Sequence, residues 1–460
     1  MTTTALAPAP HRPPSTRTPR WWRGAATKAA WASVLVVVAL WLAGRGLQDL
    51  AGTTTVLSSL GRLTGLVGSD LLLLQVLLLA RLPFVERAFG QDELVRRHRR
   101  VGVWSFTLVV AHVALITVGY AVAAHDGVLH QMVSLVLNSP GMLLATAGTL
   151  ALVMVVVTSV RAARARLQYE SWHLLHLYAY LGVGLALPHQ LWTGSDLLAR
   201  PLAAAYWWSA WGAAAASVVV FRVGLPVWRS LRHRLVVERV VQEGPGVVSV
   251  HLSGRDLHRL PVRAGQFFTW RFLAGPGWTA GHPYSLSAPP HGGGLRITAR
   301  SAELERLRPG TRVLVEGPYG RLTADARTRR RLTVLASGIG VTPGLALLHE
   351  TDYAAGEAVL IHRVSTDRDR LFEEELGELT ERRGVRVVPV VGSRIPGRSS
   401  WLPREAAHLT DTEALLRLVP DLTEHDVFVC GPAEWVDAAM AACRSAGVPA
   451  DQLHVEHFSW

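Results

Sequence analysis

HRRVGVWSFTLVVAH, residues 98–112, and WHLLHLYAYLGVGLALPH, residues 172–189, decide the architecture of the first half of this 460-residue chain. Each is an apolar run with imidazoles inside it. His98 and His112 stand fourteen positions apart, and His176 and His189 thirteen. At a helical rise of about 1.5 Å per residue these separations are about 21 and 20 Å. Two adjacent helices would therefore present histidines at two matching depths, and each depth would clamp one iron from both sides, as in two haems stacked within a membrane. Fourteen positions turn a helix by about 1,400°, about 40° short of four turns, so His98 and His112 share nearly one face. Thirteen positions leave His176 and His189 about 140° apart on an ideal helix. Pro188, which removes a backbone donor and distorts the preceding turn, is expected to correct this. His173 competes with His176, although its sixteen-position separation from His189 is no better in phase. Ionisable groups at membrane depth are costly and mark functional sites, and imidazole is a common metal ligand. Asp70, His125 and His130 are read as lying near the outer boundary, where solvation accounts for them.

Six apolar stretches, at 27–45, 64–83, 101–123, 140–160, 170–190 and 202–222, are each about long enough to span a hydrocarbon core, and they carry most of the mean hydropathy of +0.23. The formal charge of +12 would suit nucleic acid, but the arginines fall where a membrane protein puts them. Arg12, Arg17, Arg20 and Arg23 precede the first stretch, and Arg87, Arg96, Arg97, Arg99 and Arg100 lie between the second and third. Arg161, Arg164 and Arg166 follow the fourth, and Arg222, Arg229, Arg232 and Arg234 follow the sixth. These segments share one side. By the positive-inside rule that side is the cytoplasm, so both termini and the second half are expected there, in the cell membrane, with the lipid bilayer as partner and no role for nucleic acid. Residues 1–24 read as a basic, disordered tail without a cleavable signal. Only Cys430 and Cys443 occur, too few for a cysteine-ligated iron–sulfur cluster, which needs four.

From about residue 232 the apolar spans give way to short alternating runs, RLVVERVV, GVVSVHLSG, GQFFTWRF, LRITAR and TRVLVEG, broken by glycine and proline. That pattern predicts a small antiparallel β-barrel over 232–326. After Arg331 the order becomes strand, glycine turn, helix: RLTVLAS, GIGVTP, LALLHE, then AVLIHRVS, a polar helix, VRVVPVVG and DVFVCG. Alternating strands and helices predict a parallel sheet of nucleotide-binding type over 327–460. GIGVTP lacks the third glycine of the usual dinucleotide fingerprint. Its place between a strand and a helix still leaves backbone N–H groups of Gly338, Gly340 and Thr342 where a pyrophosphate would sit, and Pro343 suits a first helical turn.

The H-R-x-x-G-x9-H run and the WHLLHLYAYLGVGLALPH run resemble ferric reductase-type transmembrane domains, a family that includes the NADPH oxidases. The resemblance implies a six-helix bundle over 25–224 holding two b-type haems, with His98 and His176 on the inner iron and His112 and His189 on the outer. HPYSLS (282–287) and the upstream RAGQFF resemble the flavin-binding barrel of the ferredoxin–NADP reductase superfamily. This implies FAD held by His282, Pro283, Tyr284 and Ser285. His282 stands where soluble members usually carry arginine, a variant that favours the membrane branch. Cys430, Gly431 and Pro432, with the terminal VEHFSW, resemble the same superfamily's nicotinamide pocket and closing aromatic. The resemblance thus implies catalytic positions at Ser285, Cys430, and Phe458 or Trp460. One departure stands out: only SAELER separates LRITAR from LRPGTRV, where the family has a longer loop around the FAD pyrophosphate. Either flavin affinity is weakened, or Gly317 of GPYG and His282 do more of the work. Arg363 and Ser365, near the end of the second parallel strand, favour NADPH over NADH through the 2′-phosphate.

The expected activity is electron transfer from cytoplasmic NAD(P)H through FAD and two b-type haems to a small acceptor outside, dioxygen or a ferric chelate. The competing readings are a haem-free, membrane-anchored reductase serving a protein such as an oxygenase, and a subunit supplying a repair enzyme.

Overall fold

A computed structural model describes residues 21–457, apart from 168, 199, 276, 277, 279 and 291–293. Phe458, Trp460 and nearly all of the predicted tail at 1–24 lie outside the described residues. The chain divides between Gly224 and Leu225 into two compact units.

The first unit is helical. Its main elements are α1 (Trp21–Ala43), α2 (Val56–Leu78), α3 (Gln91–Ala124), α4 (Met142–Ser159), α5 (Tyr169–Leu185), α6 (Leu187–Thr193) and α7 (Pro201–Ser217). Among the described residues, five helices are long and apolar enough to cross a membrane: α1, α2, α3, α4 and the run Pro201–His233. The remaining expected span, 170–190, is broken into α5 and α6. Pro188 sits in the first turn of α6, where its missing N–H costs no helical bond, and it cannot donate back into α5.

Helices α2 and α3 approach closely because small residues line their contact. A Cβ on Gly61 would lie 2.8 Å from the Ile116 side chain, and one on Gly65 would lie 2.5 Å from His112 Nδ1. Without a hydrophobic force between helices in lipid, close packing and hydrogen bonds hold such pairs together. Asp70 corrects the sequence expectation. It is 1% exposed, and its Oδ1 accepts hydrogen bonds from Ser33 Oγ at 2.5 Å and Tyr206 OH at 3.4 Å. It therefore ties α2 to α1 and α7 instead of meeting solvent. His125 and His130 are exposed, and His130 pairs with Asp126.

The second unit begins with α8 (Leu225–His233) and six strands, β1 (Val236–Gly244), β2 (Val247–Ser253), β3 (Phe267–Phe272), β4 (His282–Ser285), β5 (Gly294–Arg300) and β6 (Val313–Tyr319). They form two three-stranded antiparallel sheets, ordered β1-β2-β5 and β4-β3-β6. Isolated bridges Val236–Arg312 and Leu286–Ile297 link them. Alternate residues of β3, Phe268, Trp270 and Phe272, are buried in the core between the sheets, as the period of two requires.

The five-stranded parallel sheet follows, with order β11-β10-β7-β8-β9. Its strands are β7 (Arg331–Ser337), β8 (Ala358–Val364), β9 (Arg386–Val391), β10 (His425–Gly431) and β11 (Leu453–His457), flanked by α9 (Val341–Glu350), α10 (Glu373–Arg383), α11 (Asp411–Leu418) and α12 (Ala433–Ser445). The chain moves outward from β7 through β8 to β9, then returns to place β10 on the other side of β7. The strand order thus reverses between β7 and β10, and a crevice opens there at the carboxyl ends.

One ion pair braces the sheets. Arg296 of β5 forms a bidentate pair with Glu375 of α10, one arm of which is 2.9 Å. Burial raises the Glu375 carboxyl, but the neighbouring His349 and the paired Arg296 outweigh it and hold the group at about 2, below its ordinary 4.5. A depressed carboxyl stabilises the fold fully above its unfolded value and loses that contribution as the pH falls through its folded value. Thermal stability of the wild type should therefore fall between about pH 4.5 and 2 more steeply than that of Glu375→Gln. Parallel melting curves over that window would contradict the assignment.

Candidate functional site

The four histidines of the first unit meet as two pairs. The His98 and His176 ring centroids are 6.1 Å apart, and those of His112 and His189 are 6.2 Å apart. Two imidazoles on one iron at about 2 Å per bond, each ring centre a further ~1.1 Å behind its nitrogen, would put the centroids about 6.2 Å apart. Both pairs match that spacing.

Second partners fix how each ring is turned. His98 Nδ1 lies 3.2 Å from the Gln75 carbonyl and His112 Nδ1 lies 2.7 Å from the Gly61 carbonyl. A carbonyl only accepts, so Nδ1 carries the proton in both and Nε2 keeps its lone pair, which in His98 accepts from Gln75 Nε2 at 3.4 Å. His189 Nδ1 lies 2.8 Å from Thr193 Oγ1, whose own proton goes to the His189 carbonyl at 2.7 Å. The hydroxyl must accept from Nδ1, and the same tautomer results. His176 Nδ1 lies 3.3 Å from Ser159 Oγ. Metal-ligating histidines commonly donate their other N–H to such a partner. Among the described residues no three His, Cys, Asp or Glu side chains gather into a protein-only metal cage; a haem iron, already held by four porphyrin nitrogens, asks the protein for two. The residues present fit the group.

Gln75, Gly61, Ser159 and Thr193 escaped the sequence reading. Carbonyls and hydroxyls carry no motif of their own, although the Thr193 position, one helical turn after His189, was visible. The break between α5 and α6 supplies the phase correction that an unbroken helix lacks.

In the second unit, His282 and Tyr284 stand two residues apart on β4, so their side chains share one face; their rings stack at 6.2 Å. His282 Nε2 pairs with Glu303 Oε2 at 2.9 Å. The Tyr284 phenol, hydrogen-bonded to Ser301, is raised by burial. Pro283 is half-buried between them and Ser285 is buried. SAELER thus supplies both partners: Ser301 caps the turn Ala302–Glu305, and Glu303 meets the histidine. Gly317, two residues before the end of β6, has a positive φ of 140°. Gly320, three positions on, would carry a Cβ 3.3 Å from Glu456 of β11, so the GPYG turn adjoins the parallel sheet.

The two turns at the strand-order reversal touch. A Cβ on Gly340 would lie 2.4 Å from the Cys430 carbonyl, while one on Gly338 would meet nothing within 4 Å. Gly338 therefore lines open space, and Gly340 is pressed against the end of β10. Thr342 and Pro343 are buried in the first turn of α9, and Thr342 Oγ1 donates to the Ile339 carbonyl at 2.9 Å. Gly431 abuts Ser337, and Pro432 precedes α12. Burial, with Glu456 nearby, pushes the Cys430 thiol well above its ordinary value, so it is a neutral SH. Arg363 is 5% exposed; its guanidinium donates to the carbonyls of Val364 and Ser393. It is turned into the protein instead of being displayed at the strand end, while Ser365 is exposed.

Residues 64–187 match the family described as ferric reductase like transmembrane component. The second half is similar to a 3-ketosteroid-9-alpha-monooxygenase, ferredoxin reductase component, of Mycobacterium tuberculosis, at 29% identity over 44% of this chain and 56% of that protein. It is also similar to the ferredoxin–NAD(+) reductase component of the Xanthobacter autotrophicus alkene monooxygenase system, at 31% identity over 45% and 63% respectively. A flavohemoprotein of Xylella fastidiosa aligns at 26% identity over 50% and 59%. The chain spans less than two thirds of the length of each of these curated relatives. It joins a ferric reductase-like membrane segment to a ferredoxin reductase-type module.

Proposed function

We propose that this chain is a membrane oxidoreductase that carries electrons from NAD(P)H through FAD and two b-type haems to an acceptor across the bilayer, dioxygen or a ferric chelate. The observation that carries the reading is the pair of inter-helix histidine approaches, with ring centroids 6.1 and 6.2 Å apart. Residues 25–224 form the haem domain, 232–326 the FAD domain and 327–460 the NAD(P) domain. The module and both termini are cytoplasmic, with the basic tail at 1–24, and the membrane is the plasma membrane.

A bound flavin turns a hydride's electron pair into single electrons that haem iron can accept. The protein positions the groups and tunes them. Gly338, Gly340 and the first turn of α9 receive the pyrophosphate on backbone N–H groups; the neutral Cys430 thiol and Gly431 line the nicotinamide side; Tyr284 and Ser285 hold the flavin ring, with His282 toward its phosphates. His98 and His176 hold the inner iron, and His112 and His189 the outer one. A haem held from both sides in this way would pass electrons on without binding the acceptor. The test is an NAD(P)H-driven assay in sealed vesicles, with ferric chelate or dioxygen supplied on the far side.

Thr193 sets the outer potential in this scheme. Accepting the Nδ1 proton makes His189 a more basic ligand that favours ferric iron. Thr193→Ala should raise the outer-haem midpoint in a spectroelectrochemical titration and Thr193→Ser should restore it; an unmoved midpoint in Thr193→Ala would count against the pairing.

A second reading is a haem-free, membrane-anchored reductase that passes electrons to an oxygenase. It is favoured by the monooxygenase reductase components among the relatives. Protein purified without haem pigment would select it.

A further inference from the structure

Helix α8 is inverted relative to an ordinary surface helix: its polar side faces protein and its apolar side faces outward. Arg229 donates to the Gly317 carbonyl, Val315 N donates to Ser230 Oγ at 3.0 Å, and His233 Nδ1 bonds the Arg255 carbonyl at 2.9 Å. Those residues occupy one half of the helical wheel. Val227, Trp228 and Leu231 fall within about 100° on the other half, and they are 52%, 56% and 68% exposed. A patch of this kind marks an interaction surface.

The chain indicates what covers it. Helical residues run from Pro201 to His233, 33 residues, with a π-helical stretch at Val218–Gly224 joining α7 to α8, or about 50 Å at an α-helical rise against a hydrocarbon core of about 30 Å. The outward stripe continues along that run, with Val219, Val220 and Val223 exposed at 63%, 50% and 55% before Val227 and Leu231 take it up at four-residue intervals. The apolar stripe of a membrane span thus passes into α8 without a polar interruption. Tryptophan is the residue that favours the headgroup level, and an apolar helical face with charged flanks lies naturally in that layer.

We propose that the Val227–Trp228–Leu231 face of α8 inserts into the phospholipid headgroup layer of the leaflet where the Pro201 span ends, so that α8 is an interfacial anchor for the sheet to which its polar face is bonded. The proposal rests on the membrane-spanning reading of residues 201–224.

The test uses the full chain in phosphatidylcholine–phosphatidylglycerol vesicles. Val219→Cys, Val227→Cys, Leu231→Cys and Arg382→Cys are nitroxide-labelled one at a time; Cys430 and Cys443 are buried and do not compete. Collision with oxygen, which partitions into lipid, is compared with collision with a water-soluble nickel chelate. Labels at 227 and 231 should show oxygen collision exceeding nickel collision, at a shallower depth than 219, while 382 on α10, whose side chain is 75% exposed, shows the reverse. Nickel access at 231 equal to that at 382 would overturn the proposal, as would labels at 227 and 231 that are immobilised and shielded from both agents by protein. Loss of lipid contact at 219 would instead overturn the membrane reading beneath it.

Discussion

Replacing His112 with alanine should abolish reduction of acceptors on the outer side while NAD(P)H still bleaches the flavin. Removing a partner that only orients a metal ligand typically costs about 10- to 100-fold in affinity or activity, so removing the ligand itself should cost more. His189 would remain, held at Nδ1 by Thr193, but a single imidazole leaves one axial position open and the outer haem weakly kept. The inner pair should keep its signature because His98 is anchored separately, to the Gln75 carbonyl. Reduced-minus-oxidised spectra should lose about half of the haem absorbance. Full retention of outer-side reduction would remove His112 from the pathway.

The second large effect is expected at Gly340→Ala. A methyl group there would stand 2.4 Å from the Cys430 carbonyl oxygen and 3.1 Å from Gly431 N. Both are backbone atoms that no rotamer change can move, and overpacking of this sort costs about 1–3 kcal/mol. The turn after β7 must shift away from β10, spoiling the pyrophosphate seat. At about 1.4 kcal/mol per decade, kcat/KM for NAD(P)H should fall about 10- to 100-fold, with haem spectra unchanged. The reference is Gly338→Ala. It meets no neighbour, but its φ of 54° strains a side chain, so it should show a smaller loss. Equal nucleotide kinetics in wild type and Gly340→Ala would exclude the turn from the site.

Much of the fold could be read in advance because its signals are local. RLTVLAS coincides with β7, and the alternating GQFFTWRF run becomes β3, since a period of two needs no distant information. The paired histidines were legible because helical rise converts spacing into depth. What escaped depends on residues far apart in sequence. Asp70 looked solvated because Ser33 and Tyr206, which bury it, are 37 and 136 positions away. The Arg363 side chain sits where a phosphate-reading arginine is expected, yet its orientation follows from a carbonyl 30 positions on, at Ser393. Strand β11 was missed because LHVEH is short and polar, and its parallel pairing with β10 supplies what its composition does not. The expected 170–190 span shows how local and distant effects combine. Pro188 announced a distortion, but the close approach of α5 to α4 at Gly182 and Gly148, which holds the broken segment where His189 meets His112, joins residues far apart in sequence.

The central claim is that one chain couples a nicotinamide-driven flavin to two bis-histidine haems. Its most direct test is an anaerobic optical spectrum of the detergent-purified full chain, supplied with FAD, before and after NADPH. The account predicts flavin bleaching together with sharp reduced b-type haem bands, which halve in His112→Ala. Flavin bleaching with no haem bands would contradict it.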